Sequence, residues 1–261
     1  MTTQRVAVYN SLGNDYEQAF GVFLAHTDQK DKARTWLDAA VAGLPSRRLF
    51  VDAGAGTGKV TAWFVPRFEQ TIAVEPNPFL RQHLSQNCPQ AKIVAAPILD
   101  YTVEPAADFV LASHVFYYIP TDDWPANLDR LASFLGPAGT LVVVLQNAAS
   151  DCMAMVDRFH GRRFDLNVPC REFQTRHLDS RKEESRQEGA FDCRIDTVES
   201  HIETRDFASA YTVAEFMLNL LPFDEPPLRS AVEEYVRTRF VTPAGGYRFS
   251  CSQDFLVIRR R

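Results

Sequence analysis

The sequence has no surplus of positive charge: 28 Lys and Arg stand against 33 Asp and Glu in 261 residues, a formal net charge of −5. That balance offers no cationic field to a phosphate backbone, so nucleic acid is not an expected partner. Cysteine is sparse and unordered. Cys88, Cys152, Cys170, Cys193 and Cys251 are odd in number and include no C-x-x-C pair, which argues against a disulfide framework and a zinc site. A reducing cytoplasm is the expected location. No apolar run approaches the roughly 18 residues of a spanning helix. The opening MTTQRVAVYNSLGNDY has no basic segment followed by an apolar one, so neither a membrane span nor a targeting signal is expected. No internal repeat is visible, and the one dense charge run, Arg181 to Glu188, mixes both signs as a solvated helix does.

With 46% hydrophobic residues, the chain can bury the core of one large domain or two small ones. From Glu17 to Ala42, Phe20, Phe23, Leu24, Ala33, Leu37 and Val41 recur near helical spacing before Gly43 and Pro45, which predicts a pair of helices. The period then changes. Short apolar runs at Leu49 to Asp52, Thr71 to Glu75, Lys92 to Ala95, Ala107 to Ala112 and Thr140 to Leu145 alternate with helix-like stretches. Strands joined by crossover helices predict an α/β fold with a mostly parallel, doubly wound sheet. Leu141 to Leu145 is apolar on consecutive positions, as a strand covered on both faces must be, and Gly136-Pro137-Ala138-Gly139 reads as the turn into it. Beyond Asn147 the expected elements are helices at Asp151 to His160, Arg171 to Arg186, Val213 to Leu220 and Leu228 to Arg239. A strand at Cys193 to Glu203 and a final, antiparallel strand at Tyr247 to Arg259 complete the pattern. No linker divides the chain, so a single domain over 1–261 is expected.

The sharpest local feature is Val51-Asp52-Ala53-Gly54-Ala55-Gly56-Thr57-Gly58-Lys59, where a strand gives way to a helix. Glycines at such a turn let a ligand approach the backbone. A dinucleotide fingerprint needs its third glycine where Lys59 stands, and a phosphate-binding P-loop needs a wider spacing and Ser or Thr where Val60 stands, so both are excluded. Some twenty residues on, Glu75-Pro76-Asn77 puts an acid at the end of the next strand, where a carboxylate can take a ribose diol. A glycine loop followed by that acid reads as a nucleoside site.

On these residues the chain resembles class I S-adenosylmethionine-dependent methyltransferases over roughly residues 48 to 146. The resemblance implies a Rossmann-like, seven-stranded sheet with S-adenosyl-L-methionine as cofactor. It places Asp52 near the methionine amino group, Gly54, Ala55, Gly56 and Gly58 under the methionyl and ribose portion, Glu75 and Pro76 at the ribose hydroxyls and Asn77 beside ribose and adenine. Ile98 or Leu99 covers the adenine ring, and Ser113 closes the set. Many relatives carry an acid where Ala96 or Pro97 stands, so adenine recognition here falls to backbone groups or Asp100. The resemblance also divides the chain into a helical lid at 1–45, a cofactor-binding core at 46–147, and substrate-side helical insertions with the last strands at 148–261.

The stretches Tyr16 to His26, Ala112 to Pro120 and Phe255 to Ile258 are distantly similar to the histamine N-methyltransferase family. That similarity implies a substrate pocket drawn from Tyr16, Phe20, His26, Gln29, His114, Tyr117, Tyr118 and Cys251. His114 stands where the family has glutamine, Gln29 where it has an acid and Cys251 where it has asparagine, changes that argue against histamine itself. The expected substrate is a small aromatic or amine, an amine or nitrogen heterocycle of specialised metabolism. The alternative is C- or O-methylation of an indole or phenol, with His114 as general base coupled to Tyr16 or Tyr117. A third reading keeps the cofactor pocket as a sensor or scaffold. The histidines show no ligand spacing, so no metal is expected. Phe164 to Cys170 and Met217 to Phe223 are candidates for the pocket roof, and the oligomeric state is left open.

Overall fold

In the computed structural model, which describes residues 4–10, 13–104, 106–179 and 191–261, the five apolar runs become parallel strands. They are β1 (Leu49–Ala53), β2 (Gln70–Val74), β3 (Lys92–Val94), β4 (Ala107–Ser113) and β5 (Leu135–Gln146). With β6 (Phe191–Val198) and β9 (Gln253–Arg260) they form a seven-stranded sheet in the order β3-β2-β1-β4-β5-β9-β6. β1 is central to its half: Val51 lies between Ile72 and Val110, each in parallel register. All five residues of β1 and the first six of β4 are buried, as strands covered on both faces require. Phe50, Phe64, Phe68 and Phe109 fill the space under them, with Phe50 and Phe109 stacked 5.7 Å apart. The buried Asp108 carboxylate accepts the N–H groups of Arg48 and Leu49, fixing the entry to β1.

The α-helices are α1 (Asn14–His26), α2 (Gln29–Ala42), α3 (Thr61–Phe64), α4 (Pro78–Asn87), α5 (Trp124–Ser133), α6 (Asp151–His160), α7 (Asn167–Asp179), α8 (Phe207–Leu218) and α9 (Arg229–Arg239), and a two-stranded antiparallel sheet is formed by β7 (His201–Thr204) and β8 (Tyr247–Ser250). Some expectations change. The Gly136 to Gly139 turn lies inside β5 as a bulge opposite β4: Ala107 pairs with Leu135, Phe109 with Thr140, and Ala138 adopts φ +59. The run Cys193 to Glu203 is two strands in different sheets, broken at Glu199-Ser200. The run Tyr247 to Arg259 breaks likewise at Cys251-Ser252. Neither corner carries Gly or Pro, so no turn signal marks it in the sequence. The helix expected at Arg171 to Arg186 begins earlier, at Asn167, and its part beyond 179, like the charge run at Arg181 to Glu188, lies outside the described residues.

The chain forms two compact units, one of Met1–Trp36, Gln146–Phe164 and Thr197–Gln253, the other of Leu37–Leu145, Asp165–Asp196 and Asp254–Arg261. Four of the five crossings fall inside α2, β5, β6 and β9, so no linker marks them in sequence. Among the described residues, no helix is long and apolar enough to cross a membrane.

Candidate active site

In the larger unit, the carboxyl ends of β1, β2 and β4 carry the glycine loop, the acid and the His-Tyr segment. Gly54 N–H and Ala55 N–H both donate to Val74 O, at 2.7 and 3.0 Å, so the loop is bound to the end of β2. Glu75 follows and is only 6% exposed. Its Oε2 accepts Gly56 N–H at 2.9 Å and its Oε1 accepts Asn77 N–H at 2.8 Å. One buried carboxylate therefore fixes the loop and the turn into α4 together. Two of its oxygen lone pairs remain for a ligand.

The glycines divide by role. Gly54 (φ +81) meets Val115, whose Cγ2 lies 2.3 Å from where a Cβ would stand, and Gly58 (φ +82) meets Leu84 Cδ1 at 2.7 Å. Both are required by packing as well as by backbone conformation. Gly56 (φ +57) has nothing within 4 Å of that position. The open face of the loop is thus at Gly56, whereas Gly58 is buried against Leu84 and Cys88.

Asp52 is 2% exposed and accepts the Thr61 hydroxyl at 2.6 Å. Burial pushes its carboxyl up to about 7; the Thr61 hydrogen bond pulls down and the charge of Glu75 pushes further up. Nothing in the sequence spacing points to Thr61. Asn77 spends its side-chain oxygen on capping α4, accepting Phe79 N–H at 2.9 Å and Leu80 N–H at 3.4 Å, which leaves its amide N–H₂ as the group free for recognition. Pro76 beside it is exposed. Of the two adenine candidates, Ile98 is buried and Leu99 exposed, so only Leu99 offers apolar surface to a ring from outside.

At the end of β4, Ser113 is half-buried and His114 turns into the left-handed region at φ +59 while its N–H donates to Val144 O at 2.8 Å. Histidine tolerates that conformation better than most residues, yet it is uncommon. The turn brings Val115 under Gly54 and stacks the His114 ring on Tyr117, centroids 5.7 Å apart. The Tyr117-Tyr118 pair separates: Tyr117 is buried and Tyr118 is 66% exposed.

The arrangement fits a nucleoside bearing an amino-acid tail. An open glycine stands beside a buried acid for the hydroxyls, and a second buried acid, Asp52, lies on the strand that precedes the loop. A family model for the methyltransferase domain matches residues 24–188, more than half of the chain.

The chain belongs to the methyltransferase domain family.

An uncharacterized methyltransferase from Exiguobacterium sibiricum is 29% identical over 92 residues, 35% of this chain and 43% of that protein. A trans-aconitate 2-methyltransferase from Methylobacterium radiotolerans is 30% identical over 102 residues, 38% of each chain. The methyltransferase domain thus spans under half of the length of these two relatives. In fold it is similar to the N-methyltransferase NodS from Bradyrhizobium japonicum, solved with S-adenosylhomocysteine, with a TM-score of 0.54, 12% identity, and coverage of 95% of this chain and 99% of that one.

The other expected site residues of the methyltransferase lie in the smaller unit. Tyr16, Phe20 and Phe23 on α1 gather around Phe216 of α8, with centroids 5.4, 5.6 and 5.4 Å from it; Tyr16 and Phe20 are half-buried. Sequence pattern does not single out Phe216 as their partner. Gln29 and Cys251, both expected at the substrate pocket, are paired with each other. They are 4% and 0% exposed, and the Gln29 amide donates to the Cys251 carbonyl at 2.6 Å. The Cys251 thiol lies 3.3 Å from Thr27 Oγ1 and 3.4 Å from Ser200 Oγ. These groups fasten the start of α2 to the β8–β9 corner. His26 joins the same region through Nδ1, 3.1 Å from Glu203 O. Among the described residues, no group of three or more His, Cys, Asp or Glu side chains could hold a metal ion.

Proposed function

We propose that the chain is an S-adenosylmethionine-dependent methyltransferase acting on a small molecule, with an amine or nitrogen heterocycle as acceptor. The observation that carries the cofactor reading is the Glu75 carboxylate, buried at the end of β2 and bound to Gly56 N–H beside the open face of the loop. The NodS structure, an N-methyltransferase with S-adenosylhomocysteine, shares this fold and is in keeping with that reading. When bound, the cofactor supplies an activated methyl group on a sulfonium. Glu75 would hold the ribose hydroxyls, Asp52 the amino group, Leu99 the face of the adenine and the Asn77 amide a neighbouring polar edge.

The chain's own contribution to transfer is orientation and exclusion of water. A neutral amine needs no proton removed before attack, and the exposed ring of Tyr118 offers a face to the cation that methyl transfer leaves on the nitrogen. The distant likeness to the histamine N-methyltransferase family supports an amine only through Tyr16, Phe20, Tyr117 and Tyr118, because Gln29 and Cys251 are engaged with each other.

A second reading rests on His114. Its left-handed backbone and its stacking on Tyr117 hold an imidazole at the carboxyl edge of β4, where it would take the proton from a phenol or an indole carbon as the methyl group arrives. Calorimetric titration with S-adenosylhomocysteine, on the wild type and on Glu75→Ala, tests the cofactor site; methyl transfer to amines, indoles and phenols then separates the two readings. Wild-type protein that binds no S-adenosylhomocysteine would overturn both. Binding without turnover on any acceptor class would favour a sensor or scaffold.

A further inference from the structure

Away from the cofactor site, α7 carries Cys170 and the edge strand β6 carries Cys193, 23 positions apart in sequence, with their sulfur atoms 3.0 Å apart. Both are free thiols. Two sulfurs in ordinary van der Waals contact stand farther apart than this, so the side chains already share a hydrogen bond. The helix and the strand are held at this distance by groups other than the thiols. Gln174 Nε2 donates to Cys193 O at 2.7 Å, Phe191 meets Phe173 edge-on at 5.6 Å, and the His177 ring lies 5.1 Å from Phe191. The backbones are therefore pre-set for a bond between the two sulfurs, and little has to move for it to form.

We propose that Cys170 and Cys193 form a dithiol site that exchanges with low-molecular-weight disulfides and closes reversibly to a disulfide joining α7 to β6. Cys193 is half-buried, whereas Cys170 is nearly enclosed, so the reagent meets Cys193. The Cys193 sulfur attacks one sulfur of the external disulfide, giving a mixed disulfide and releasing one thiol. The Cys170 sulfur then attacks Cys193 Sγ and releases the second thiol. Two S–H bonds are lost and one S–S bond is formed; the protein is oxidised by two electrons and the reagent is reduced by two, its leaving groups taking the two protons. The hydrogen bond shared with Cys170, and burial, raise the Cys193 thiol above its ordinary value, so the first attack quickens as pH rises. Cys88, Cys152 and Cys251 are buried and serve as internal controls.

The test incubates the purified chain with glutathione at graded ratios of the oxidised to the reduced form, then counts free thiols after denaturation and measures intact mass and linked peptides. The expected result is a fall from five free thiols to three, a mass lower by two hydrogens, and one cross-linked peptide pair containing Cys170 and Cys193, all reversed by a dithiol reductant. Cys170→Ser should stop at a glutathione adduct on Cys193. Cys193→Ser should retain all its thiols. Wild-type protein that keeps five thiols at the most oxidising ratio, that stops at the adduct, or that links any other pair would overturn the proposal. These readouts on the wild type do not depend on whether either serine variant folds.

Discussion

Glu75 Oε2 accepts the backbone N–H of Gly56 at 2.9 Å, across 19 residues of sequence, and the same carboxylate holds Asn77 N–H through its other oxygen. One side chain thus serves both structure and recognition, and the two roles can be separated. Glu75→Gln keeps one acceptor oxygen for the backbone but loses the charge. Glu75→Ala loses both and leaves two N–H groups without their partner, at a cost of about 1–3 kcal/mol. We expect S-adenosylhomocysteine affinity to fall roughly 10- to 100-fold in Glu75→Gln, the scale of a hydrogen bond to a charged group. Chemical denaturation alongside calorimetry checks both parts. Unchanged affinity in Glu75→Gln would remove Glu75 from the nucleoside site.

Gly54 and Gly56 should respond differently to alanine. At Gly54, alanine must adopt φ +81 and drive its Cβ into Val115, so a loss of roughly 2–5 kcal/mol is expected. At Gly56 the backbone term alone applies, about 1–2 kcal/mol. There the added methyl stands on the open face, so ligand affinity should suffer more than stability. Thermal unfolding and titration of the two variants measure the contrast, and equal effects at both positions would contradict the division of roles.

Asp52 makes the site dependent on pH. Its folded carboxyl titrates at about 7, against an ordinary value of 3.8, so the folded chain holds this proton more tightly than the unfolded chain does. The stabilisation is fully present below the ordinary value and is lost as pH rises through about 7. Asp52→Asn should remove that part of the decline between pH 4 and 7. Over the same range, wild-type affinity for S-adenosylhomocysteine should rise as Asp52 ionises against the ligand's amino group, and the variant should bind with little dependence on pH. Denaturation and calorimetry at three pH values test both slopes.

Much of the fold and of the candidate site's framework is legible in the amino-acid sequence. The runs at β1, β2, β4 and β5 mark parallel strands because strands covered on both faces are mostly apolar, even with Asp52 in β1 and Asp108 in β4, whereas β3 is short and partly exposed. Gly54, Gly56 and Glu75 stand out because few folds need glycines at a strand's end and an acid at the next. What is not legible depends on contacts distant in sequence. Thr61 binding Asp52, Val115 under Gly54 and the Gln29 amide on the Cys251 carbonyl leave no periodic trace. The corners at Glu199-Ser200 and Cys251-Ser252 are equally silent, since neither carries Gly or Pro.

Gln29 offers a direct test of reading a residue's role from resemblance alone. Its amide is buried on the Cys251 carbonyl, so Gln29→Ala should cost about 1–3 kcal/mol of stability through the unpaired carbonyl. The KM for whichever acceptor proves to be methylated should not change. A KM raised tenfold at unchanged stability would restore Gln29 to the substrate site.

His114 decides between the acceptor classes, and its backbone makes the experiment possible. Substitution by most residues at φ +59 confounds lost chemistry with added strain, but asparagine is also at ease in the left-handed region, so His114→Asn removes the imidazole with little change in backbone cost. For a neutral amine acceptor no proton need leave before attack, and kcat should stay within a few-fold of wild type. For a phenol or an indole carbon, the loss of a general base should lower kcat by roughly 10²- to 10⁴-fold. The wild-type pH profile should then show a limb that the variant lacks. His114→Gly supplies the complementary control. Glycine relieves the strain altogether, so stability should rise by about 1 kcal/mol while the chemical effect matches that of asparagine. If asparagine and glycine differ in kcat but agree in the shape of the pH profile, His114 acts through the position of Tyr117 and Val115, and its imidazole takes no proton.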